Sequence, residues 1–414
     1  MATDCTVLII GTVDTKSDEL LFMKQCIQDQ GGRVLLMDVG VLGEPATPPD
    51  ISKHDVAAAA DTTIDEIIAL GDENRAMTKM AEGAAVLTAK HHKAGEIDGM
   101  IALGGTMGTD LALDAAAALP MGVPKLVVST VSFSPLIPAE RIPADLMMMI
   151  LWAGGLYGLN SVCKASLSQA AGAVLGACRT ASRPRQDRPV VGMTSLGKSC
   201  LSYMVDLMPA LEERGFEVAV FHATGMGGRA FESLAAQGRF AAVMDFSLQE
   251  VANHQNGSIV TAGPDRLESA GQAGIPQIVA PGATDLVDLP TWAGVPDQFQ
   301  SRDYHAHNRL IASVTQTPND RRKTAGVIGE KLAQAKGPTA FVLPLKGIEE
   351  WDRPGEPLND PEGLTAFVDA CRTAIAPPAR LVECDAHIND PQFVETVLSI
   401  FDGWVRDGSV RTAA

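Results

Sequence analysis

The first part of the chain alternates between short apolar runs and longer stretches of mixed polarity. Thr6 to Gly11 is apolar and rich in β-branched residues, which predicts a strand. A stretch with helical character follows to about Gln30, and Gly31 and Gly32 end it before a second strand, Val34 to Val39. This order predicts a βαβ unit with a parallel sheet.

The stretch from Met100 to Asp114 gives the clearest prediction of a ligand site. Met100 to Leu103 reads as a strand, a glycine turn occupies 104–108, and a helix is expected from about Asp110. A strand that runs through glycines into a helix N-terminus presents free N–H groups and the positive end of the helix dipole to an anion. The alternative is a plain βα connection whose glycines allow tight packing, and this stretch alone does not decide between the two.

The second half of the chain repeats the pattern after a polar, proline-bearing segment, Thr180 to Pro189. We therefore predict an N-terminal domain over 1–182, a C-terminal domain over 188–404 and a tail over 405–414. The fold class expected is α/β, with two doubly wound, Rossmann-like domains and mostly parallel sheets. The strands predicted for the second domain are Val190–Met193, Glu217–Phe221, Ala241–Asp245, Gln277–Ala280, Ala340–Leu343 and Leu381–Cys384.

Composition narrows the class of protein. The chain has 414 residues and a net charge of −17, which argues against a nucleic-acid partner held through its phosphates. We find no run of about 18 apolar residues and no leader-like N-terminus, so neither a membrane partner nor export is expected. Seven irregularly spaced cysteines suit reduced thiols in a cytoplasmic protein. An alanine-rich helix over 160–178 and an apolar segment with Met147 to Met149 suggest a contact with a second copy.

The turn after the first strand carries Thr12, Asp14 and Lys16. In open α/β sheets ligands sit at the carboxyl ends of the strands, where this turn is expected. Lys16 could neutralise a phosphate, and Asp14 could hold a metal ion or a ribose hydroxyl. The competing interpretation is that Asp14 or Thr15 merely caps the helix.

Candidate acid–base groups come from the second half. His222 ends a strand, three glycines follow, and Arg229 opens a helix, which suits a phosphate or carboxylate ligand. Near the end of the chain, Asp385 and His387 stand among further carboxylates, a composition that suits acid–base chemistry or a hard metal ion. A structural histidine and a helix cap are the alternatives.

Two further patterns are ambiguous. Gly192 to Ser199 matches the phosphate-loop pattern G-x-x-x-x-G-K-[ST], but the strand before it is short and other glycine turns compete for a nucleotide. His305 and His307 would share a face on a strand and could chelate a metal ion, whereas in a loop they would be surface groups.

Seven motifs taken together resemble one family. The chain is similar to the ATP-binding N-terminal domain of the tomato mosaic virus resistance protein, whose bacterial relatives form an uncharacterised protein family. The resemblance covers roughly residues 4 to 402. The motifs are Gly11-Thr-x-Asp-Thr-Lys16, Leu103-Gly-Gly-Thr-x-Gly-Thr109, Lys125-Leu-Val-Val-Ser-Thr130, Gly158-Leu-Asn160, Phe221-His-Ala-Thr-Gly-x-Gly-Gly-Arg229, Gly263-Pro-Asp-Arg266 and Asp385-Ala-His-Ile-Asn-Asp-Pro391.

The resemblance implies two Rossmann-like domains, a homodimer or higher homo-oligomer, and ATP binding. The plant domain binds a viral replication protein, a partner that is not carried over to a bacterial chain. This chain departs from the family pattern at 131–138 and at Asn253 and His254, where the family usually has acidic residues. Carried residue by residue, and with the hydroxyl of Thr109 added, the nucleotide site comprises Gly11, Thr12, Asp14, Lys16, Gly104, Gly105, Thr106, Gly108 and Thr109.

Three functions follow as hypotheses. The first is a cytoplasmic protein that binds ATP, with or without Mg²⁺, and acts as an enzyme on a small metabolite between its two domains. Its catalytic groups would be Arg229, His222, Asp385 and His387. The second is a non-catalytic protein that responds to a nucleotide. The third is a metal-dependent enzyme that uses His222, Asp385 and His387 without a nucleotide.

Overall fold

Five parallel strands form the sheet of the first half of the chain. The structure, a computed structural model, describes residues 5–143, 145, 148–155, 158–182 and 187–412. It divides into unit 1, residues 1–185, and unit 2, residues 186–414. The strands of unit 1 are β1 (Thr6–Gly11), β2 (Arg33–Asp38), β3 (Gly99–Gly104), β4 (Lys125–Ser129) and β5 (Met148–Leu151).

The sheet of unit 1 has the order β2-β1-β3-β4-β5, and every pairing is parallel. The predicted first βαβ unit is confirmed. The helices of unit 1 are α1 (Val13–Asp29), α2 (Lys53–Ala59), α3 (Ile64–Ala69), α4 (Glu73–Lys93), α5 (Thr106–Ala117) and α6 (Ser161–Thr180), with a 3-10 turn at Ala139–Arg141.

Alternation along the strands builds a core on each face of this sheet. Leu8 and Ile10 of β1 pack into one hydrophobic cluster, and Val7 and Ile9 pack into another. All six residues of β1 are buried, as expected for a central parallel strand covered by helices on both faces. Chain order reverses between β1 and β3, so a crevice is expected at the carboxyl ends of these two strands.

Unit 2 repeats the arrangement with one more strand. Its parallel strands are β6 (Val190–Ser195), β7 (Glu217–His222), β8 (Ala242–Ser247), β9 (Gln277–Gly282), β13 (Thr339–Pro344) and β14 (Ala379–Cys384). Their order is β14-β13-β9-β8-β6-β7, which places the reversal between β6 and β8. The two doubly wound α/β units predicted from the sequence are therefore confirmed.

A small antiparallel sheet, which the sequence pattern did not predict, is inserted between β9 and β13. It consists of β10 (Leu286–Pro290), β11 (Tyr304–Ala306) and β12 (Ile311–Thr315), in the order β10-β12-β11. The helices of unit 2 are α7 (Tyr203–Glu213), α8 (Met226–Ala236), α9 (Gln249–Gln255), α10 (Ser269–Gln272), α11 (Pro318–Leu332), α12 (Pro361–Ala374) and α13 (Pro391–Arg406). Shorter 3-10 turns lie at Thr291–Ala293, Asp297–Phe299 and Glu350–Asp352.

The end of the chain is packed rather than separate. α13 continues to Arg406, and Val410 is buried in the hydrophobic cluster that covers one face of the second sheet. The segment 405–412 is therefore part of unit 2 and not the tail predicted from the sequence. Residues 183–186 of the predicted linker and Met147 of the methionine cluster lie outside the described residues.

Candidate functional site

A cavity of about 680 Å³ opens at the strand-order reversal of unit 1. Its volume lies within the range of about 300–1,000 Å³ that is usual for small-molecule sites. The walls come from residues within 10–16, 39–42, 67–77 and 103–111. Eight of the nine residues predicted to bind a nucleotide line this cavity: Gly11, Thr12, Asp14, Lys16, Gly104, Gly105, Thr106 and Gly108.

Thr109 is the predicted residue that does not line the cavity. Its side chain is buried behind the turn, where its hydroxyl donates to the carbonyl of Gly105 at 2.7 Å and pairs with the Ser129 hydroxyl at 2.6 Å. Thr109 therefore fixes the glycine turn to β4 and is a positioning residue. The helix also begins at Thr106 and not at Asp110, because the first turn tolerates glycine where a helix interior does not.

The glycines of the turn serve two purposes. A side chain at Gly104 would meet the backbone of Gly108 at 2.6 Å, so this glycine is required by packing. A side chain at Gly105 would meet nothing nearer than the Thr130 hydroxyl at 3.9 Å, so space is open beside it. Because Gly105 is the N-cap of α5 and has no side chain to cap with, the first backbone N–H groups of α5 face that space. The turn has the form of an anion site.

The first turn of α1 forms the wall of the cavity opposite the glycine turn, and together they make up its polar end. The backbone leaves helical geometry at Lys16, and the Lys16 ammonium lies 5.5 Å from the centre of the Trp152 ring. The hydroxyls of Thr12 and Thr15 are hydrogen-bonded to each other at 2.8 Å. A cation, two hydroxyls and a helix N-terminus therefore stand across the cavity from the glycine turn.

Two aspartates lie next to each other at this end. Asp38 is the last residue of β2, and its Oδ1 accepts hydrogen bonds from the N–H groups of Val13 and Gly40, so it is Asp38, and neither Asp14 nor Thr15, that caps α1. Oδ1 of Asp14 and Oδ2 of Asp38 are buried and have no hydrogen-bond partner among the described residues. Burial raises the pKa of Asp38, and the charge of Asp14 adds to this effect. The pair therefore offers two carboxylate oxygens to a cation or to hydroxyl donors.

The rest of the cavity is mainly apolar, with Asp72 and Glu73 as charged residues in its lining. Val39, Val41, Ile67, Ile68 and Met77 contribute to this part, which lies on the β2 side of the crevice. A flat apolar group bound here would be covered by aliphatic side chains. The cavity as a whole thus combines an anion-binding end with an apolar end.

A glycine turn of unit 2, which follows the edge strand β7, is already filled. The carboxylate of Glu250 accepts hydrogen bonds from the N–H groups of Gly225 at 2.5 Å and Gly228 at 3.2 Å. A side chain at Gly228 would lie 1.7 Å from the Glu250 carboxylate. An internal anion therefore occupies the place at the start of α8 where a phosphate would bind.

Arg266 neutralises this internal anion. Its buried guanidinium donates to Glu250 at 2.7 Å, to both oxygens of Asp245 at 2.5 and 2.7 Å, and to Glu232 at 3.1 Å. Burial raises the pKa of Glu250, and Arg266 opposes that shift. The sequence contains Gly263-Pro-Asp-Arg266 as a motif, but nothing in its local pattern indicates that Arg266 is buried.

Arg229 and His222 sit on the same turn with different surroundings. Arg229 donates to both oxygens of Asp265 at 2.7 and 2.6 Å, so an acidic partner on the chain already engages it. Partial burial and the nearby charge of His307 lower the pKa of His222. His305 and His307 pack on the ring of Trp351, with ring centres 4.4 and 5.8 Å apart from it.

The phosphate-loop match has the wrong geometry. Leu196 and Cys200 exchange backbone hydrogen bonds of 3.2 Å in both directions, which closes a tight turn over Gly197 to Ser199. The Ser199 hydroxyl donates to the carbonyl of Leu196 and is buried. The helix begins only at Tyr203. Because a phosphate loop needs its Lys and Ser at the start of the helix, this segment is not one.

His387 and Asp385 do not form a pair. His387 is buried; its Nδ1 accepts from the N–H of Asn389, and its Nε2 lies 2.9 Å from the carbonyl oxygen of Glu349 and 3.1 Å from Oδ1 of Asp352. Asp385 is exposed and pairs with Lys346 at 3.1 Å. The contacts of His387 hold two loops together, whereas Asp385 lies at the surface.

Comparison with known proteins shows which family has this two-unit architecture. Residues 5–183 match the model described as the uncharacterised protein family UPF0261 N-terminal domain, and residues 188–405 match that of the UPF0261 C-terminal domain. This chain belongs to the UPF0261 family. A UPF0261 protein of Brucella melitensis is 57% identical over 404 residues, which cover 98% of this chain and 96% of the relative.

More distant relatives extend the family. A UPF0261 protein of Clostridium tetani is 35% identical over 389 residues, covering 94% of this chain and 96% of the relative. The tomato protein named ToMV susceptible protein tm-1(GCR26) is 27% identical over 420 residues, covering 95% of this chain and 55% of the tomato protein. The resemblance predicted from the seven motifs is thus confirmed.

Proposed function

We propose that unit 1 binds ATP in the 680 Å³ cavity. The observation that carries this proposal is the glycine turn 104–108, whose helix N-terminus faces open space, whereas the glycine turn after β7 in unit 2 is occupied by Glu250. The residues fit a nucleotide because the cavity joins an anion-binding end to an apolar end.

The polarity of the cavity suggests how the nucleotide would lie. The phosphates would rest on the N–H groups at Gly105 and Thr106, with Lys16 and Thr12 opposite. The base would occupy the apolar part beside Val39 and Ile68. Asp14 lines the polar end and has a carboxylate oxygen without a partner in the described structure. That oxygen would accept from a ribose hydroxyl or bind the Mg²⁺ ion that accompanies the phosphates.

We further propose that the protein uses ATP as an enzyme on a small metabolite, and that it assembles as a homodimer or higher homo-oligomer in the cytoplasm. A non-catalytic protein that responds to the nucleotide is the alternative. Measured ATP turnover separates the two, since tight binding without turnover would favour the second. Within the described residues no helix is long and apolar enough to cross a bilayer.

Calorimetric titration of ATP into the full chain, with and without Mg²⁺, tests the proposal. Thr106→Arg places a long side chain in the cavity mouth, and we expect it to abolish binding because it competes sterically with the phosphates. Lys198→Ala is the matched control, because Lys198 belongs to the glycine turn that has the wrong geometry for a phosphate. Circular dichroism checks that each variant is folded.

Asp14→Asn separates the two roles of Asp14. Loss of the Mg²⁺ dependence with weak binding retained would assign Asp14 to the metal ion. Equal binding of ATP and its 2′-deoxy and 3′-deoxy analogues by the variant, but not by the wild type, would assign it to the ribose. Absence of ATP binding by the wild-type protein, or loss of binding in Lys198→Ala but not in Thr106→Arg, would contradict the proposal.

A further inference from the structure

Unpartnered polar groups accumulate at the carboxyl edge of the second parallel sheet. They belong to Ser247, the last residue of β8, and to residues that follow β8, β9, β13 and the antiparallel strand β12, and each of these residues is at least 98% buried. Leaving one such group unsatisfied in the interior costs about 1–3 kcal/mol, so their accumulation points to a bound species. Within the described part of unit 2 these atoms are Ser247 Oγ, Gln249 Oε1, Asp285 Oδ1 and Oδ2, Gln316 Nε2 and Glu349 Oε1.

Asp285 is the most exceptional of these residues. It follows the turn after β9, is fully buried, and neither carboxylate oxygen has a hydrogen-bond partner among the described residues. Its backbone carbonyl accepts a hydrogen bond from the backbone N–H of Gln316 at 2.6 Å. Gln316, whose side-chain Nε2 has no partner among the described residues, is therefore a direct neighbour of Asp285. Burial raises the pKa of Asp285; Arg321 opposes the shift, and Asp352 and Asp360 add to it.

Glu349 reaches the same region from the loop after β13. The N–H of Ala283 donates to the carbonyl of Ile348 at 3.0 Å, which ties this loop to the turn that carries Asp285. One oxygen of Glu349 accepts from the N–H of Trp351, and the other is buried without a partner. Burial raises the pKa of Glu349, and the charge of Asp285 is the second cause.

The charges around the pair do not neutralise it. Arg321 donates to Asp360 at 2.9 Å, so it is shared with a carboxylate outside the pair. Asp352 accepts from the N–H of Ile348 and contacts His387, and it adds negative charge on the other side. The region therefore combines an excess of negative charge with hard oxygen donors.

We propose that Asp285 and Glu349 hold a hard divalent cation of the Mg²⁺ or Mn²⁺ class at the carboxyl edge of unit 2. Ions of this class are bound through one or two carboxylates, with neutral oxygens and water completing the shell. No group of three or more His, Cys, Asp or Glu side chains is arranged around a metal position in the described structure, so the two carboxylates would act with neutral donors. Gln249 and Ser247 carry unpartnered oxygens of that kind at the same edge.

The cation would lie beside a second cavity. This cavity, of about 350 Å³, is lined by Asp352 and His387 together with Lys346 and Arg353. The charge of Asp352 also raises the pKa of Asp285, so Asp352 is a neighbour of both the cavity and the proposed cation. The site is independent of the nucleotide site of unit 1 because every group in it belongs to unit 2.

Titration of Mn²⁺ into the metal-stripped, nucleotide-free full chain, followed by the electron paramagnetic resonance of free Mn²⁺, tests the proposal. We expect one bound ion that Mg²⁺ displaces, and affinity lowered by more than about tenfold in Asp285→Asn and in Glu349→Gln. Asp288→Asn is the matched control, because Asp288 is also buried but both of its oxygens are hydrogen-bonded, to Ser313 and Asn253. Thr106→Arg should bind Mn²⁺ as the wild type does.

Two further measurements, the melting temperature with bound Mn²⁺ and Mn²⁺ binding by Asp14→Asn, distinguish this site from the alternatives. Bound Mn²⁺ should raise the melting temperature of the wild type and leave that of Asp285→Asn unchanged. Loss of Mn²⁺ binding in Asp14→Asn instead would assign the ion to unit 1 and overturn the proposal. Absence of Mn²⁺ and Mg²⁺ binding, with both amide variants more stable than the wild type, would also overturn it and would show that the pair retains a proton.

Discussion

Replacing Arg266 with methionine should destabilise unit 2 severely. The guanidinium is 1% exposed, and its five hydrogen bonds reach three carboxylates and one carbonyl. Methionine fills much of the volume but leaves Asp245, Glu232 and Glu250 without their cation. Removal of one partner from a buried ion pair costs about 3–5 kcal/mol. We expect a loss of about 4 kcal/mol, because each carboxylate retains at least one other donor.

Arg229→Met provides the matched control. Arg229 also pairs with an aspartate, but the side chain of Asp265 is 43% exposed, and exposed pairs contribute about 1 kcal/mol or less. The assay is urea unfolding followed by tryptophan fluorescence, since Trp292, Trp351 and Trp404 lie in unit 2 and only Trp152 lies in unit 1.

The pH dependence gives a second check on the same reasoning. Burial raises the pKa of Glu250 in the folded protein, so a lower pH lets this carboxyl keep its proton and should reduce the deficit of the Arg266→Met variant. If the two arginine variants differ by less than about 1 kcal/mol, or if acid increases the deficit, the buried network does not carry the stability assigned to it.

Two other substitutions test packing and charge. Gly83→Ala should destabilise unit 1 by about 2 kcal/mol or more, because the new methyl group would lie 1.9 Å from a backbone oxygen of α2. Gly172→Ala, whose methyl group would have no atom within 4 Å, should stabilise unit 1 by roughly 0.5–1 kcal/mol. Urea unfolding followed by circular dichroism measures both changes, and equal effects would contradict the packing argument. Asn253→Asp should cost more than about 1.5 kcal/mol at neutral pH, because it replaces the amide that donates to the buried Asp288 with a second carboxylate. Burial already raises the pKa of Asp288, so one carboxyl can keep its proton as the pH falls and the penalty should shrink; a penalty independent of pH would refute this reasoning.

The sequence pattern was sufficient for the parallel sheets. A strand such as β1 is buried on both faces and therefore reads as a continuous apolar run, which is visible without any knowledge of its neighbours. The turn residues at the ends of β1 and β3 could be placed at one site for the same reason, because the carboxyl ends of neighbouring parallel strands share an edge.

The antiparallel insert was not predictable in the same way. β11 has only three residues, and their exposure alternates weakly. No alternation of apolar and polar positions therefore distinguishes this strand from a loop. The phosphate-loop pattern was misleading because the pattern specifies residue types and not where the helix begins, and here α7 starts four residues after Ser199.

Long-range burial explains what the local pattern could not reveal. Arg266, Asp285 and Glu349 look like ordinary surface residues in their own segments, and only the packing of separate loops encloses them. The departure from the family pattern at Asn253 has a structural explanation of this kind. Its amide group donates to the Val260 carbonyl and to Asp288, contacts that an acidic residue would not reproduce.

Glu250 acts as a ligand that is covalently part of the chain. Because this carboxylate is tethered, its concentration at the Gly225 turn does not depend on how much free phosphate or nucleotide is present. This turn is therefore occupied whatever the nucleotide concentration, and we expect it to contribute no nucleotide-dependent stability. Because only ligands that bind the folded state raise its stability, any shift in unfolding caused by added nucleotide should be confined to unit 1. The two units share a strand order, but the glycine turn of unit 1 follows β3 and lines an open cavity, whereas that of unit 2 follows the edge strand β7 and is filled by Glu250.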